Sequence, residues 1–583
     1  MNKSVRVRFA PSPTGPLHIG GVRTALYNYL FAKKMGGTFI LRIEDTDRTR
    51  FVEGAEQYII DTLKWCNILP EEGQSFGGEY GPYRQSDRKE LYQKYVQQLI
   101  DDNRAYYAFD TPEELDEMRE AALAKGQVAK YDYSIRGEMK NSLSMPADEV
   151  KKLLDNKTPY VVRLKVMPDE TIIFDDIIRE QVRFSSNEID DKVLLKSDGL
   201  PTYHMANIVD DHYMKISHVI RGEEWLPSTP LHVLLYKYLG WEDTMPKFAH
   251  LPLLLKPSPE SYIDKTTLIP LAEKMTEEFF KNNDEVSIDY KETALAFVKQ
   301  TFQDKKNIGA KLKDRKKDKD DKKALKAFLK SSLFGKLSKR DGDRLGFPVF
   351  PLDWENVKTG ATAMGFREKG FLPEATINFL AFLGWNPGTE QEIFSLEGLV
   401  EAFSLDRVSK SGAKFNYAKS KWFNQQYIIN SSNEDLGKIF RKDIEQNGHS
   451  VDNDTLNTIC DMYKERLERI NQFWDQAYYL FEPVRAYDSK TVQKKWKAEK
   501  RHDFEGLLAT VEAVEDFQAD KMEEAVKAYI NDNELKFGDI LPILRVGLTG
   551  EMKGPSVFEV AALLGKIEVV ERLKNAYIIF DKM

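Results

Sequence analysis

The sequence predicts an α/β chain: a parallel sheet split by an inserted α+β segment, then a mostly α-helical C-terminal part. Three observations carry this. The first fifty residues alternate strand, helix and strand; strand-like runs return after a mixed middle region; and helical periodicity dominates from Phe371 onward.

Val5-Arg6-Val7-Arg8-Phe9 alternates in the manner of a half-exposed strand. Residues 10–20 form a loop containing Pro11, Pro13, Gly15 and Pro16. Residues 21–35 carry helical spacing through Val22, Ala25, Leu26, Tyr29 and Leu30, and Gly36-Gly37 stops the helix. Residues 38–43 form a second strand ending at Glu44-Asp45. Such a β-α-β unit predicts a parallel sheet with ligands at the carboxyl ends of its strands. A mixed, β-rich region follows from about residue 84 to 197, and the runs at 193–195 and 216–220 read as the second half of the same sheet. The middle region is then an insertion. Residues 256–334 differ in character, with a dense mixed-charge run at 311–323. It reads as a solvated helix or flexible surface insertion, with an RNA-touching basic arm as the alternative.

At 583 residues the chain exceeds one hydrophobic core, so several domains are expected. With 42% hydrophobic residues it can bury sizeable cores, and with 31% charged residues it has a heavily solvated surface. No stretch reaches the ~20 apolar residues of a membrane span. Met1-Asn2-Lys3-Ser4 leads straight into a strand without the apolar core of a signal peptide, and a cytoplasmic location is expected. Cys66 and Cys460 are too far apart to suggest a disulfide framework or a multi-cysteine zinc site, and read as buried thiols. A net charge of −8 argues against indiscriminate nucleic-acid binding, although a local basic surface can act under a negative total.

Two segments carry chemistry. In the first, residues 10–20, prolines fix the loop and Gly20 lets a flat or anionic group approach where the helix begins. The helix N-terminus is expected to offer unpaired N–H groups to a triphosphate, with His18 donating to a phosphate oxygen. In the second, Gly335-Lys336-Leu337-Ser338-Lys339-Arg340, two lysines flank a serine and can clamp pyrophosphate as the α-phosphoryl group is attacked. There is no Walker A sequence, no H-E-x-x-H helix and no G-x-S-x-G elbow.

Together, His18-Ile19-Gly20-Gly21 and the Lys336–Arg340 segment resemble the two signatures of class I aminoacyl-tRNA synthetases. Further runs narrow the resemblance to bacterial-type glutamyl-tRNA synthetases. They are Arg8 through Gly15, Leu41 through Asp47, Gly199 through His212, Val219 through Trp225, Phe371 through Ala375 and Arg545 through Gly550. The similarity covers nearly all of the chain outside residues 256–334.

The resemblance implies a split Rossmann-type catalytic domain with an inserted α+β acceptor-stem domain, followed by mostly α-helical stem-contact and anticodon-binding domains. The expected division is 1–83 and 191–255 for the catalytic halves and 84–190 for the acceptor-stem insertion. The charged insertion takes 256–334, the lysine loop with the stem-contact domain 335–430, and the anticodon-binding domain 431–583. The implied reaction is ATP-dependent attachment of glutamate to tRNA(Glu) through a glutamyl-adenylate.

By matching motif, Arg8 and Arg221 would bracket the substrate carboxylates, and Ser12, Glu44, Tyr203 and Asn207 would complete the amino-acid site. Glu44 would pair the substrate ammonium. ATP would lie near His18, Gly20, Glu224 and Trp225, with Lys336 and Lys339 at its phosphates; His18, Gly20, Lys336 and Lys339 are the catalytic candidates. Mg²⁺ would come with ATP, held chiefly by phosphates and water. A monomer and a need for tRNA before amino-acid activation are also implied.

Some relatives bind zinc through cysteines before a Thr-x-Glu-Glu-Leu run. Here Tyr106-Tyr107-Ala108-Phe109-Asp110 precedes Thr111-Pro112-Glu113-Glu114-Leu115, so no zinc is predicted and aromatic packing is expected in its place. Arg466 is the candidate for discriminating the anticodon, against the reading of a solvated helix face. A small-molecule nucleotidyltransferase would not need the helical C-terminal half. A non-catalytic RNA-binding relative would not need intact His18, Gly20, Lys336 and Lys339.

Overall fold

The computed structural model of the chain describes residues 4–126, 128–257 and 335–583, so the charged insertion lies, from residue 258 on, outside the described residues. Two compact units result: the described residues up to 368 together with 373–420, and residues 369–372 together with 421–583.

In the first unit, β1 (Arg6–Phe9), α1 (Ile19–Lys34), β2 (Thr38–Leu41) and β3 (Glu72–Gly73) build a parallel sheet in the order β1-β2-β3. Three of β1's four residues are buried, both arginines are ion-paired, and the half-exposed reading of this strand is corrected. Alternation signals solvent only when the polar side chains lack partners inside. Arg6 forms a two-pronged pair with Glu72 at 2.8 Å, and Arg8 pairs with Asp211.

The helix begins two residues before the predicted Gly21, because His18 caps it and the two glycines carry no hydrophobic pattern. Its face of Val22, Ala25, Leu26, Tyr27 and Leu30 is completely buried.

Residues after 84 begin a small antiparallel sheet of β4 (Ala105–Ala108), β5 (Val161–Leu164) and β8 (Val193–Leu195). Val193–Leu195 is therefore a strand as predicted, but it pairs with β5 in the inserted sheet rather than with the parallel one. Conversely, the hairpin of β6 (Thr171–Asp176) and β7 (Glu180–Ser185), expected within the insertion, joins the sheet of β9 (His218–Gly222) and β10 (Lys247–Leu251) in the order β7-β6-β10-β9. Short apolar strands suit either sheet, and their sequences do not say which edge is free.

The β1 and β9 edges meet where the Ser217 N–H donates to the Arg6 carbonyl at 2.9 Å and the Arg6 N–H to Ser217 Oγ at 2.8 Å. Ile40, Tyr83, Phe174, Ile216, Val219 and Phe248 form a core spanning both parts. Helices α2 (Tyr203–Tyr213) and α3 (Thr229–Tyr238) pack with the inserted sheet around Val162, Leu194, Met205 and Leu235.

In the second unit the described elements are helical. Ser432, Asp452 and Asp488 side chains cap helices Asn433–Gln446, Asn453–Tyr463 and Ser489–Lys495 by accepting N–H groups of their first turns. One core gathers around Phe440, Tyr463 and Phe473, the other around Phe504, Leu544 and Leu573. No described helix is long and apolar enough to cross a membrane.

Candidate active site

A cavity of about 840 Å³ opens at the carboxyl ends of β1 and β9 and the start of α1. It is lined by Arg8, Ser12, His18, Gly20, Glu44, Tyr203, Asn207, Arg221, Glu224, Trp225 and Lys339, among others. Of the site residues expected on this unit, Lys336 alone does not line it. Lys336 Nζ stands at the rim, 2.9 Å from Glu224 Oε1.

At the floor, buried charges face one another in pairs. Arg8 donates through Nε and Nη2 to the two Asp211 oxygens at 3.0 and 3.2 Å, and its Nη1 has no partner among the described residues. Arg42 Nη1 donates to the same Asp211 Oδ1 at 2.7 Å and its Nη2 to Glu44 Oε1 at 3.1 Å. Asp210 accepts from Arg88 Nε at 2.8 Å, Gln85 Nε2 at 2.9 Å and the Tyr92 hydroxyl, with Arg42 Nε 3.8 Å away. Arg8, Arg42 and Arg88 thus balance Glu44, Asp210 and Asp211 in charge. Burial alone would raise the Asp211 pKa, but the Arg8 and Arg42 guanidiniums hold it below the usual carboxylate value. At Glu44 burial prevails over Arg42 and Arg8, and its pKa is raised.

Asn207 Nδ2 approaches the same Glu44 oxygen at 3.3 Å. Arg221 donates to the Tyr203 hydroxyl at 2.9 Å, and the Tyr203 and Trp225 rings lie 4.6 Å apart. This end of the cavity therefore presents two guanidiniums and one carboxylate, a set suited to an amino acid with an acidic side chain.

At the other end, the Gly20 N–H donates to His18 Nδ1 at 3.0 Å. The neutral ring then carries its proton on Nε2, which is buried and has no partner among the described residues. Burial first, then Lys339 and Lys336, push the His18 pKa down to about 3, so the ring is neutral at physiological pH. A Cβ on Gly20 would come 3.2 Å from His18 Nδ1 and 3.6 Å from the Leu254 side chain.

The expectation of a row of free N–H groups at the helix start is corrected. Ile19 donates to Val349 O at 3.0 Å, Gly20 to His18, and Gly21 to His18 O at 2.7 Å. Because the capping histidine and the 349 backbone consume these donors, attraction for an anion rests on the His18 Nε2–H, the helix dipole and the lysines.

The lysine segment is tied down at its base. Leu337 N–H donates to Leu254 O at 2.8 Å, and the Ser338 N–H and hydroxyl both donate to Asp341 Oδ2 at 2.7 Å. Lys339 Nζ reaches over the loop to within 4.0 Å of where a Gly15 Cβ would be.

Sequence reasoning passed over Arg42, Asp210 and Asp211, although all three lie inside runs it had singled out; spacing of two residues from Glu44 was the available signal for Arg42. It also missed His232, Thr229, His250 and Asp176 around Arg221, which no local pattern marks.

Arg466 belongs to the second unit, where its Nε donates to Met462 O at 3.1 Å. Burial chiefly, and Arg466 in addition, lower the Arg545 pKa against the pull of Tyr479. Arg466 is solvent-exposed, as the reading of a solvated helix face expects, and has Arg545 as a cationic neighbour.

The family described as tRNA synthetases class I (E and Q), catalytic domain, matches residues 4–265 and 356–422, and the anticodon binding domain family matches residues 430–577. The chain is 46% identical to a glutamate–tRNA ligase of Porphyromonas gingivalis over 577 residues, covering 99% of each. It is 47% identical to that of Flavobacterium johnsoniae over 576 residues, again covering 99% of each. Among solved structures, a glutamate tRNA ligase from Elizabethkingia meningosepticum in complex with its amino acid matches with a TM-score of 0.82 and 42% identity, covering 99% of both chains.

Proposed function

Since the chain belongs to the glutamate–tRNA ligases, class I aminoacyl-tRNA synthetases, we propose how its own residues divide the work of that reaction. The enzyme uses ATP to join L-glutamate to tRNA(Glu) for protein synthesis.

Arg8 and Arg221 take the two carboxylates of glutamate and Glu44 its ammonium, with Asn207 steadying Glu44 and with Ser12 and Tyr203 completing the wall. The observation that carries this is the meeting of these groups in one cavity with His18, Gly20 and Lys339. ATP lies over Gly20, between His18 and the Glu224–Trp225 rim. Mg²⁺ enters as part of the ATP substrate. In the first step the α-carboxylate of glutamate attacks the α-phosphorus and pyrophosphate departs. The His18 Nε2–H donates to a phosphate oxygen as charge develops there, while Lys339 and Lys336 meet the phosphates. In the second step a ribose hydroxyl of the terminal tRNA adenosine attacks the activated carbonyl and AMP leaves.

Residues 84–190, apart from the β6–β7 hairpin, hold the acceptor stem, 335–430 contact the stem, and 431–583 read the anticodon, with Arg466 contributing to the choice of tRNA. The protein acts as a cytoplasmic monomer without zinc and activates glutamate only once tRNA is bound. Charging purified glutamate and glutamine tRNAs with labelled glutamate and labelled glutamine tests the reading. Glutamate on the glutamate tRNA alone is expected. Glutamate on both tRNAs removes the role given to Arg466, and transfer of glutamine overturns the assignment of the arginine-lined pocket.

A further inference from the structure

We propose that Asp176 and His250 are positioning residues for Arg221, fixing the hydrogen-bond polarity that keeps its guanidinium aimed at the substrate. This rests on the reading above that Arg221 binds a glutamate carboxylate.

The three residues come one from each of three neighbouring strands, β6, β10 and β9, and His250 is the register partner of Arg221. Asp176 Oδ1 accepts three backbone N–H groups, from Ile178 at 3.0 Å, Arg179 at 2.8 Å and His250 at 3.3 Å. Its Oδ2 lies 2.6 Å from His250 Nδ1, with both side chains sealed from solvent. On the far side of the ring, Arg221 Nε donates to His250 Nε2 at 3.0 Å.

A guanidinium only donates and stays charged, so His250 Nε2 must offer its lone pair. The neutral ring therefore holds its proton on Nδ1 and gives it to Asp176. One carboxylate, itself oriented by three backbone donors, thus dictates the tautomer that Arg221 needs. The remaining guanidinium donors make two short bonds, Nη1 to the Tyr203 hydroxyl at 2.9 Å and Nη2 to Thr229 Oγ1 at 2.8 Å. They also make two long ones, to His232 Nδ1 at 3.5 Å and the Trp225 carbonyl at 3.4 Å. The long contacts are the ones a carboxylate replaces at least cost, while the Nε bond stays as the pivot.

The test is the Asp176→Asn variant of the full chain. Three N–H groups require an acceptor at the Oδ1 place, so the amide carbonyl goes there and the amide NH₂ faces His250. The ring must then accept at Nδ1 and carry its proton on Nε2, confronting the Arg221 Nε–H donor to donor. An Asp→Asn change inverts a histidine in the same way in the Ser-His-Asp triad. Aminoacylation kinetics of D176N should show the glutamate KM raised roughly ten- to a hundredfold, the scale of losses when an orienting partner is removed, with the ATP KM little changed.

In an Arg221→Lys background, which lacks the Nε donor, D176N should add almost nothing. An unchanged glutamate KM, equal rises for both substrates, or a full added effect on top of R221K would overturn the proposal. An unchanged glutamate KM in R221K alone would instead overturn the role given to Arg221. If D176N does not fold, His250→Gln and His250→Phe replace it. The glutamine keeps an acceptor for Arg221 and should retain a glutamate KM well below that of the phenylalanine variant; equal values sink the idea.

Discussion

Arg42 donates to Asp211 across 2.7 Å at a point where the two side chains are 0% and 1% exposed, and Asp211 hands that contact on to Arg8. Neither cation at this floor is free to reorient without uncovering a buried charge. Asp211→Asn keeps the shape but leaves Arg8 and Arg42 in excess. Removing one partner of a buried pair costs about 3–5 kcal/mol, so a clear fall in denaturation midpoint is expected. A variant as stable as the parent would show that the network is not held by charge.

His18 is assigned a donor role at Nε2, made possible by Gly20 occupying Nδ1. His18→Ala should lower kcat for adenylate formation by roughly a hundred- to a thousandfold and leave the glutamate KM near that of the parent. A change confined to KM would assign the ring to binding instead.

Lys336 and Glu224 form an exposed pair, 53% and 40% accessible. Such pairs contribute about 0–1 kcal/mol, so Lys336→Ala should melt close to the parent while turning over at least about tenfold more slowly, from lost charge stabilisation at the phosphates. Equal turnover would remove Lys336 from the phosphate site.

Burial is the first cause of the lowered pKa at His18, to about 3, and at His204 and His218, to about 4. In the unfolded chain each returns to about 6.5. Between those values the unfolded state binds more protons, so these groups leave stability intact above about pH 6.5 and erode it as pH falls towards 4. The melting temperature should therefore drop between pH 7 and pH 5. Replacing His218 with Gln should reduce that drop; an undiminished drop would place its origin elsewhere.

The segment before Thr111 is held from further along the chain: the Tyr131 hydroxyl donates to Asp110 Oδ2 at 2.9 Å and accepts from Asn141 Nδ2 at 3.2 Å, beneath the Arg163 guanidinium 3.9 Å from the ring. A zinc chelator should leave the melting temperature unchanged. Tyr131→Phe should destabilise by about 1–3 kcal/mol through unsatisfied partners. Melting at a lower temperature on chelation would mean that a metal, not this cluster, ties the segment.

The parts of the site legible in the sequence were those written contiguously. The loop ending at His18 and Gly20, Glu44 at a strand end, and Tyr203 with Asn207 on one helix all reach the cavity because each sits within a few residues of a strand or helix terminus. What stayed hidden depends on distant complements. The strand bearing Arg8 reads as half-exposed because Asp211, the partner that lets Arg8 be buried, lies 203 residues away, and His250 finds Asp176 across 74. The strand at Val193–Leu195 was recognised, but three apolar residues do not specify which sheet receives them.

The balanced floor of Arg8, Arg42, Arg88, Glu44, Asp210 and Asp211 also limits how such a protein can diverge. A lineage drifting towards an uncharged substrate that discarded Arg8 would leave Asp211 to Arg42 alone and the buried floor with one negative charge in excess. The route to a new amino acid then passes through paired, compensated replacements, and few neutral intermediates lie along it.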